Sequence, residues 1–382
     1  VPLYLIARRR LGGHTIPCLL SICYLLYPAI QGANIRDFHE IPLATPLLLF
    51  LLLMLETGQK RLFWISLVLT LMVKEDLALS CFALGVYAAI SRKNVRVGIL
   101  TCFVCALYFA LCVGVIMPMN DGSPMASRFE GYIAPGFTGL KGMLATLLTN
   151  PFFTLYFAFF DANKILFLLQ MLGPILFLPL IAGNGLVLLA PGFATALLAS
   201  DGLHYTIGLH YPATLAPFVF YLTILALERI RPSLRLKLAG LLIVSSLLFN
   251  YEFGWFFSKR FTGFEYPRQQ YDLFREITKS IPDSAGVSAS NPLIPHLSRR
   301  ERIYYFPFVG DSDYIVFCTA SVGNNFWPET RESSFDAIIS IVRRGVFGVV
   351  RFEGDFLLLR RGAPANRNPE AVHRLLAIKI QH

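Results

Sequence analysis

Charged side chains are scarce in this sequence. Asp, Glu, Lys and Arg make up 15% of its 382 residues, whereas 55% are hydrophobic and the mean hydropathy is +0.57. Soluble domains carry about 25% charged residues, so this chain has too little polar surface to be a soluble enzyme throughout. The same composition excludes a disordered chain and a disulfide scaffold. We therefore predict an α-helical polytopic membrane protein.

Several familiar signatures are also missing. We find no P-loop, dinucleotide or nucleophile-elbow motif, no signal peptide and no inverted repeat. The net charge of +10 comes without a basic run interleaved with aromatic residues, so no nucleic-acid partner is expected. Six of the seven cysteines lie inside apolar runs, and Cys102 and Cys105 have no second pair to complete a metal site. These cysteines are best explained as packing residues.

The charges divide the chain in two. From Lys259 onward there are 17 basic and 13 acidic residues, while the first 258 residues hold 17 and 11. We predict a transmembrane domain of about nine spans over 1–257 and an α/β domain over 258–382, with an interfacial loop at 118–164 between spans. Val1 opens on what resembles the end of a membrane helix, so we expect the N-terminus to be truncated. In the second domain the pattern predicts helices at 267–281 and 331–344, and strands at 285–289, 302–306, 314–318, 346–352 and 355–360.

The Lys and Arg residues predict the orientation. If 62–73 and 77–90 are two spans, twelve basic residues of the first domain fall on one side and five on the other, whereas a single span would balance them. Because cytoplasmic loops carry the excess of Lys and Arg, the richer side is predicted to be cytoplasmic. The protein is then expected in the bacterial plasma membrane, with the second domain extracytoplasmic as a lid or recognition module.

Three polar clusters fall at the outer ends of the predicted spans. The first two have structural alternatives, helix capping for the first and a solvated hairpin tip for the second. In the third, one histidine alone would not indicate a site, but two histidines with an aspartate do. Functionally, charges placed against a membrane face are expected to pair or to line a polar cavity. The clusters are Arg36, Asp37, His39 and Glu40; Lys74, Glu75 and Asp76; and Asp201, His204, His210 and Tyr211.

These stretches, with Ile281-Pro282 and Pro295-His296-Leu297-Ser298 further on, resemble the bacterial family of predicted membrane proteins called DUF2079, whose architecture is similar to that of GT-C glycosyltransferases. The resemblance implies sugar transfer from a polyprenyl-phosphate donor at the outer face, with inversion and with a carboxylate as general base. From position, Asp37, Glu75 and Asp76 are the candidate bases, and the remaining cluster residues are candidates for substrate binding. A divalent metal is the cofactor this resemblance allows, and Asp37, His39 and Glu40 are its candidate ligands.

Two other functions remain open. A flippase-like transporter would be favoured by an inverted repeat or an ionisable residue at mid-span. An envelope-assembly scaffold would leave the outer acids separate and solvated. Carboxylates of the first two clusters sharing one outward-opening cavity would favour the enzyme.

Overall fold

The computed structural model describes residues 1–35, 38–91, 94–119, 128–259, 268–320 and 331–381. The chain separates into two compact units, Val1–Thr262 and Gly263–His382. The first unit is helical and the second contains a small sheet.

The first unit consists of fourteen helices among the described residues. Short 3₁₀ segments lie between several of them, and a π-helical turn, Cys112–Ile116, continues α7 into α8. The helices are α1 (Pro2–Leu11), α2 (Thr15–Leu25), α3 (Pro28–Ile35), α4 (Ile41–Thr57), α5 (Lys60–Leu71), α6 (Leu77–Ile90), α7 (Val95–Leu111), α8 (Met117–Met119), α9 (Gly139–Thr149), α10 (Pro151–Phe159), α11 (Ala162–Leu172), α12 (Ala190–Leu197), α13 (Ala216–Arg229) and α14 (Pro232–Phe253).

Burial distinguishes the centre of the helical unit from its periphery. In α13 nearly every residue is buried, including Phe218, Phe220 and Tyr221. By contrast α7 and α14 expose large apolar side chains such as Phe103 and Leu248, which are 64% and 65% exposed. An apolar surface of this kind is costly in water and suits hydrocarbon. The helical unit therefore has a packed protein core and a lipid-compatible exterior.

Fewer helices have spanning length than the sequence predicted. Among the described residues, three helical stretches are long and apolar enough to cross a membrane, Val95–Met119, Tyr211–Arg229 and Pro232–Phe253, or up to five if two bent pairs each count as one span. Four further apolar helices have 10–17 residues. Proline explains the shortening: Pro174, Pro179 and Pro191 lie at the starts of short 3₁₀ or α-helical segments and remove backbone donors there.

Two local predictions can be compared with the helices. The runs at 62–73 and 77–90 form separate helices, α5 and α6, which meet at the Lys74–Asp76 turn. The predicted interfacial loop at 118–164 contains α9 and α10, which are divided at Asn150-Pro151 and meet at 103°. Its position relative to a bilayer stays a prediction.

Glycine allows α6 and α7 to pack closely. A Cβ on Gly98 would lie 2.6 Å from the carbonyl oxygen of Gly85, and a Cβ on Gly85 would lie 2.8 Å from Sγ of Cys102. Both separations are shorter than van der Waals contact. The helices can approach this closely because both residues lack a side chain, as small residues permit at interfaces between membrane helices.

The second unit is a five-stranded mixed sheet with helices on both faces. Its order is β2-β1-β3-β5-β4, parallel from β2 to β3 and antiparallel through β5 and β4. The elements are α15 (Arg268–Lys279), β1 (Val287–Ala289), α16 (Ile294–Leu297), β2 (Ile303–Tyr305), β3 (Tyr314–Cys318), α17 (Arg331–Arg343), β4 (Phe347–Glu353), β5 (Phe356–Arg361) and α18 (Asn368–Gln381).

Alternation along the strands forms two cores in this unit. Ile315 and Phe317 of β3 pack with α17 and α18 on one face, whereas Val316 and Cys318 pack with α15 and α16 on the other. Successive strand residues point to opposite faces, so both faces of β3 are covered. The predicted small α/β unit is present, with all five predicted strands and the α15 and α17 helices; the sequence analysis missed α18.

Candidate functional site

A pocket forms where the α5–α6 turn meets the loop before α9 and the loop before α13. Its polar walls are Lys74, Asp76, Arg128, His204 and Tyr211, and α6, α12 and the 3₁₀ turn Tyr211–Thr214 supply the apolar wall. The cavity volume is about 50 Å³. A buried water needs about 10–15 Å³ on this measure, so the pocket has room for a few water molecules.

Ion pairs join the pocket to the start of α4. Lys74 Nζ donates to Glu40 Oε1 at 2.8 Å, and Arg128 donates from one Nη to Asp76 Oδ2 at 2.7 Å. Burial alone would raise the pKa of Glu40, but the hydrogen bond and charge of Lys74 lower it overall. In Arg128 burial, which lowers the pKa, is outweighed by the Asp76 carboxylate, and the pKa is raised. Glu40 and Arg128 are therefore charged at neutral pH.

Backbone contacts fix the loop that carries Arg128. The Ser200 N–H donates to the Arg128 carbonyl at 2.9 Å, and the Gly131 N–H donates to Ser200 Oγ at 2.8 Å. The two loops on either side of the pocket thus hold one another. This contact places a guanidinium from residue 128 beside the turn at residues 74–76, more than fifty positions earlier.

Asp201 and His204 form a hydrogen-bonded pair at the pocket wall. Asp201 Oδ1 accepts from the Leu203 N–H at 3.0 Å and lies 2.8 Å from His204 Nδ1. His204 is 5% exposed, and its Nε2 is buried without a hydrogen-bond partner among the described residues. Burial lowers the pKa of His204, which Asp201 only partly offsets, so the imidazole is neutral at neutral pH.

Aromatic rings connect the third cluster with the first. The Tyr211 ring contacts both His204 and His210 in tilted arrangements, with ring centroids 4.3 Å apart in each pair. The rings of His210 and His39 are also tilted, with centroids 3.8 Å apart. Burial, followed by the nearby His39 and Lys74, lowers the pKa of His210 to about 4. The chain around Ile207 packs tightly on α3, since a Cβ on Gly32 would lie 2.3 Å from the Ile207 carbonyl oxygen.

The structure brings most of the predicted site residues together. Lys74, Asp76, His204 and Tyr211 line the pocket, and the residues Glu40, Asp201, His210 and His39 contact that lining or one another. Glu75 is half-buried in the same turn and lies outside the lining. Arg36 and Asp37 lie outside the described residues, so the predicted proximity of Asp37 to Asp76 stays a prediction.

Arg128 was not predicted as a site residue. Its one sequence signal is that it is the single Lys or Arg between residues 97 and 140, a stretch otherwise poor in charge. An isolated cation near apolar segments calls for a counterion, and Asp76 provides it.

The described residues do not assemble a metal site. No group of three His, Cys, Asp or Glu side chains among them could hold a metal ion. Of the proposed ligand set, Glu40 is bound by Lys74 and His39 contacts the ring of His210. Both side chains thus already have partners in the protein.

A second polar network lies at the other end of α4. Arg10 donates to both oxygens of Glu56, at 2.8 and 3.1 Å, and to Glu228 at 2.7 Å, while Tyr221 donates to Glu56 at 2.5 Å. Glu40 and Glu56 are sixteen residues apart, so a helix rise of 1.5 Å separates the two networks by roughly 24 Å. Residues that the charge count placed on opposite sides thus gather at opposite ends of α4.

The family comparison bears on this architecture. A family described as predicted membrane proteins, DUF2079, matches residues 1–347 of the chain. The chain belongs to this family. The predicted membership is confirmed, and it identifies the DUF2079 protein as a membrane protein while leaving its activity open. No curated protein matches the chain.

Proposed function

We propose that this DUF2079 protein is a membrane glycosyltransferase that transfers a sugar from a polyprenyl-phosphate donor to an acceptor hydroxyl. The observation that carries the proposal is the convergence of Lys74, Arg128, Asp76 and His204 on one pocket at one end of an apolar helical unit. The charge count favours the extracytoplasmic face of the bacterial plasma membrane for this end. The polyprenyl chain would lie along the lipid-compatible exterior.

The pocket offers the two functions that sugar transfer requires. Lys74 and Arg128 provide positive charge for the donor phosphate, and cations aimed at a departing phosphate stabilise the charge that develops there. A base must also accept the proton of the acceptor hydroxyl. Among the predicted bases, Asp76 lines this pocket. The acceptor oxygen bonds to C1 of the sugar from the face opposite the leaving phosphate, which gives inversion.

The alternatives differ in what they require of these residues. A scaffold would leave the acidic clusters separate, and the contacts between Glu40 and Lys74 and between His39 and His210 speak against it. A flippase-like transporter would use the same cations to bind lipid phosphate without breaking a bond. Product analysis separates transport from transfer.

Replacing either pocket cation should weaken donor binding. Charge-assisted hydrogen bonds contribute about 1.5–3 kcal/mol, so Lys74→Gln and Arg128→Gln are each expected to raise the KM for the donor about 10- to 100-fold. The measurement is transfer of radiolabelled sugar by the full chain in proteoliposomes, across a panel of polyprenyl-phosphate sugars and envelope acceptors.

Lys60→Gln is the matched control, because Lys60 is exposed at the start of α5, at the opposite end of α4 from the pocket. It should leave the KM unchanged. Failure of the wild-type chain to transfer sugar from any donor, with or without lipid movement, would refute the glycosyltransferase proposal. An unchanged KM in both pocket variants would remove this pocket as the phosphate site.

A further inference from the structure

If the proposed function holds, one residue of the pocket must accept the proton of the acceptor hydroxyl, and the contacts around Asp76 and His204 indicate which one. Asp76 is the carboxylate among the predicted bases that lines the cavity, and its Oδ2 accepts from Arg128 at 2.7 Å. A proton acceptor needs a lone pair that is free to meet the substrate hydroxyl. The Arg128 guanidinium occupies Oδ2 of Asp76, so a substrate hydroxyl would compete with Arg128 for that oxygen. Asp76 is thus better suited to holding Arg128.

His204 offers a lone pair that no described residue occupies. An ionised carboxylate can only accept hydrogen bonds, so the 2.8 Å contact with Asp201 Oδ1 requires the proton to be on His204 Nδ1. The neutral ring then bears its lone pair on Nε2. This atom is buried and has no partner among the described residues, which is costly for a polar atom unless a ligand occupies it.

His204 lines the pocket, and its unpartnered Nε2 is the ring nitrogen that Asp201 leaves available to a ligand there. Asp201, which holds the opposite ring nitrogen, is not part of the lining. The Tyr211 ring lies against the imidazole, with centroids 4.3 Å apart and planes inclined by 34°. Asp201 is itself fixed by the Leu203 N–H. The imidazole is therefore held between Asp201 and Tyr211 at the pocket wall.

We propose that His204 Nε2, oriented by Asp201, is the general base of this pocket and accepts the proton of the acceptor hydroxyl. The hydroxyl O–H bond breaks as its oxygen forms the bond to C1 of the sugar. The C1–O bond to phosphate breaks with its electron pair leaving on the polyprenyl phosphate. The proton held on Nε2 then passes to water, which returns the imidazole to its neutral form. Asp201 is a positioning residue that also stabilises the imidazolium.

The charge around His204 determines when the imidazole can act. The groups on the elements that surround it are Asp201, Asp76, Arg128, Lys74, His210 and Tyr211. Burial outweighs the attraction of Asp201 and Asp76, so the pKa of His204 is lower than its usual 6.5. The imidazole is consequently neutral and competent above that pKa, and transfer should fail as the pH falls through it.

Removing the imidazole should abolish proton transfer and keep donor binding. General-base catalysis contributes about 100- to 10,000-fold, so His204→Gln should lower kcat by this factor, leave the KM for the donor near its wild-type value and remove the acid limb of the pH profile. Asp201→Asn keeps a hydrogen-bond acceptor and loses the charge, so it should lower kcat about 10-fold or more and shift the acid limb to lower pH. Asp76→Asn should raise the KM and leave the acid limb in place.

The outcomes distinguish this assignment from the proposed function. If the wild-type chain transfers sugar and His204→Gln keeps its kcat and acid limb, the assignment is wrong and the proposed function stands. If Asp76→Asn removes the acid limb instead, Asp76 is the base. If the wild-type chain transfers no sugar, both proposals fall.

A second measurement does not depend on activity. The ¹⁵N shifts of the full chain, labelled at histidine and placed in lipid nanodiscs, report which ring nitrogen of His204 carries the proton, with His204→Gln providing the assignment. We expect Nδ1–H in the wild type. A proton on Nε2 at neutral pH would overturn the assignment even in an active enzyme.

Discussion

His210 shows how the surroundings of one side chain set its charge at this end of the helical unit. It is half-buried, contacts the ring of His39 and lies near Lys74, and together these lower the pKa of its imidazole to about 4. In the unfolded chain an imidazole titrates near 6.5. Folding therefore keeps His210 neutral over a pH range in which the free side chain takes up a proton.

This difference predicts a pH-dependent stability. Between pH 6.5 and about 4 the unfolded state binds more protons at His210 than the folded state does, so stability falls as the pH falls through this window. His210→Gln cannot titrate and should flatten the decline. The check is thermal unfolding of both proteins in detergent at pH 7.5, 6.5, 5.5 and 4.5.

A variant that matches the wild type at pH 7.5 and declines equally toward pH 4.5 would contradict this account of His210. His14→Gln provides the control, because His14 is exposed at the start of α2, and its hydrogen-bonded partner, Tyr4, is in α1. Its unfolding temperatures should follow those of the wild type at each pH.

Sequence alone predicts individual site residues better than their pairing. Lys74 and Asp76 could be selected because charges at a span end need a polar setting. The pairing of Asp76 with Arg128 could not, since it depends on the backbone contact between residues 128 and 200. The lack of a partner at His204 Nε2 could not be predicted either, since it depends on the folded turn in which Asp201 accepts from the Leu203 N–H.

At the scale of elements, α6 and α7 pack closely through two glycines, Gly85 and Gly98. Their two glycines contact each other's backbone, so a methyl group has no free space there. Gly98→Ala would place its Cβ 2.6 Å from the Gly85 carbonyl and 2.7 Å from Ala89. Overpacking of this kind lowers the free energy of unfolding by about 1–3 kcal/mol. The packing also bears on the pocket, because Ser80 of α6 is one of its lining residues.

We expect Gly98→Ala to lower the unfolding temperature by several degrees in detergent. Gly240→Ala is the matched control: Gly240 lies inside α14, and a Cβ there meets nothing within 4 Å. Because alanine favours helix over glycine by about 1 kcal/mol, this control should equal or exceed the wild type. Equal stability of the two variants would mean that α6 and α7 are less closely packed.

Sequence patterns predicted elements unevenly. The strands of the second unit followed from alternation, and β3 begins and ends where it was expected, at Tyr314 and Cys318. The region 165–200 lies in the part of the chain predicted to hold about nine spans, yet Gly173, Pro174, Pro179 and Gly183 break it into 3₁₀ turns. Apolar content indicates which segments are buried in protein or lipid. The positions of proline and glycine decide whether such a segment is one continuous helix or several short ones.

At the scale of the whole molecule, the two polar networks define an axis. Arg10, Glu56 and Glu228 gather at one end of α4, and Glu40, Lys74 and Asp76 gather at the other. A helix of 17 residues is at the lower limit for crossing the hydrocarbon core. The membrane sides of these ends remain predictions from the distribution of Lys and Arg.

Sidedness can be measured with a membrane-impermeant thiol reagent. In a cysteine-free background we expect Lys74→Cys and Ser298→Cys, which lies in the second unit, to react from outside intact cells. Arg61→Cys should react only after the membrane is opened. Ser298 and Arg61 are exposed and Lys74 is partly exposed. Burial within the protein should therefore not prevent labelling at positions 298 and 61.

Labelling of Arg61→Cys from outside, or protection of Lys74→Cys until lysis, would reverse the orientation and remove an extracytoplasmic sugar-transfer site. Labelling of Ser298→Cys alone from the opposite side would instead relocate only the second unit. The three positions therefore test the helical unit and the sheet unit separately.

The narrowness of the pocket has a kinetic consequence. A space of about 50 Å³ between Arg128, His204 and Lys74 is far smaller than any glycan, so its walls must part before a lipid-linked sugar can enter. Admission of the lipid would then govern the pace of turnover more than the reactivity of the glycosidic bond does. An enzyme of this kind would be sensitive to the fluidity of the bilayer around it.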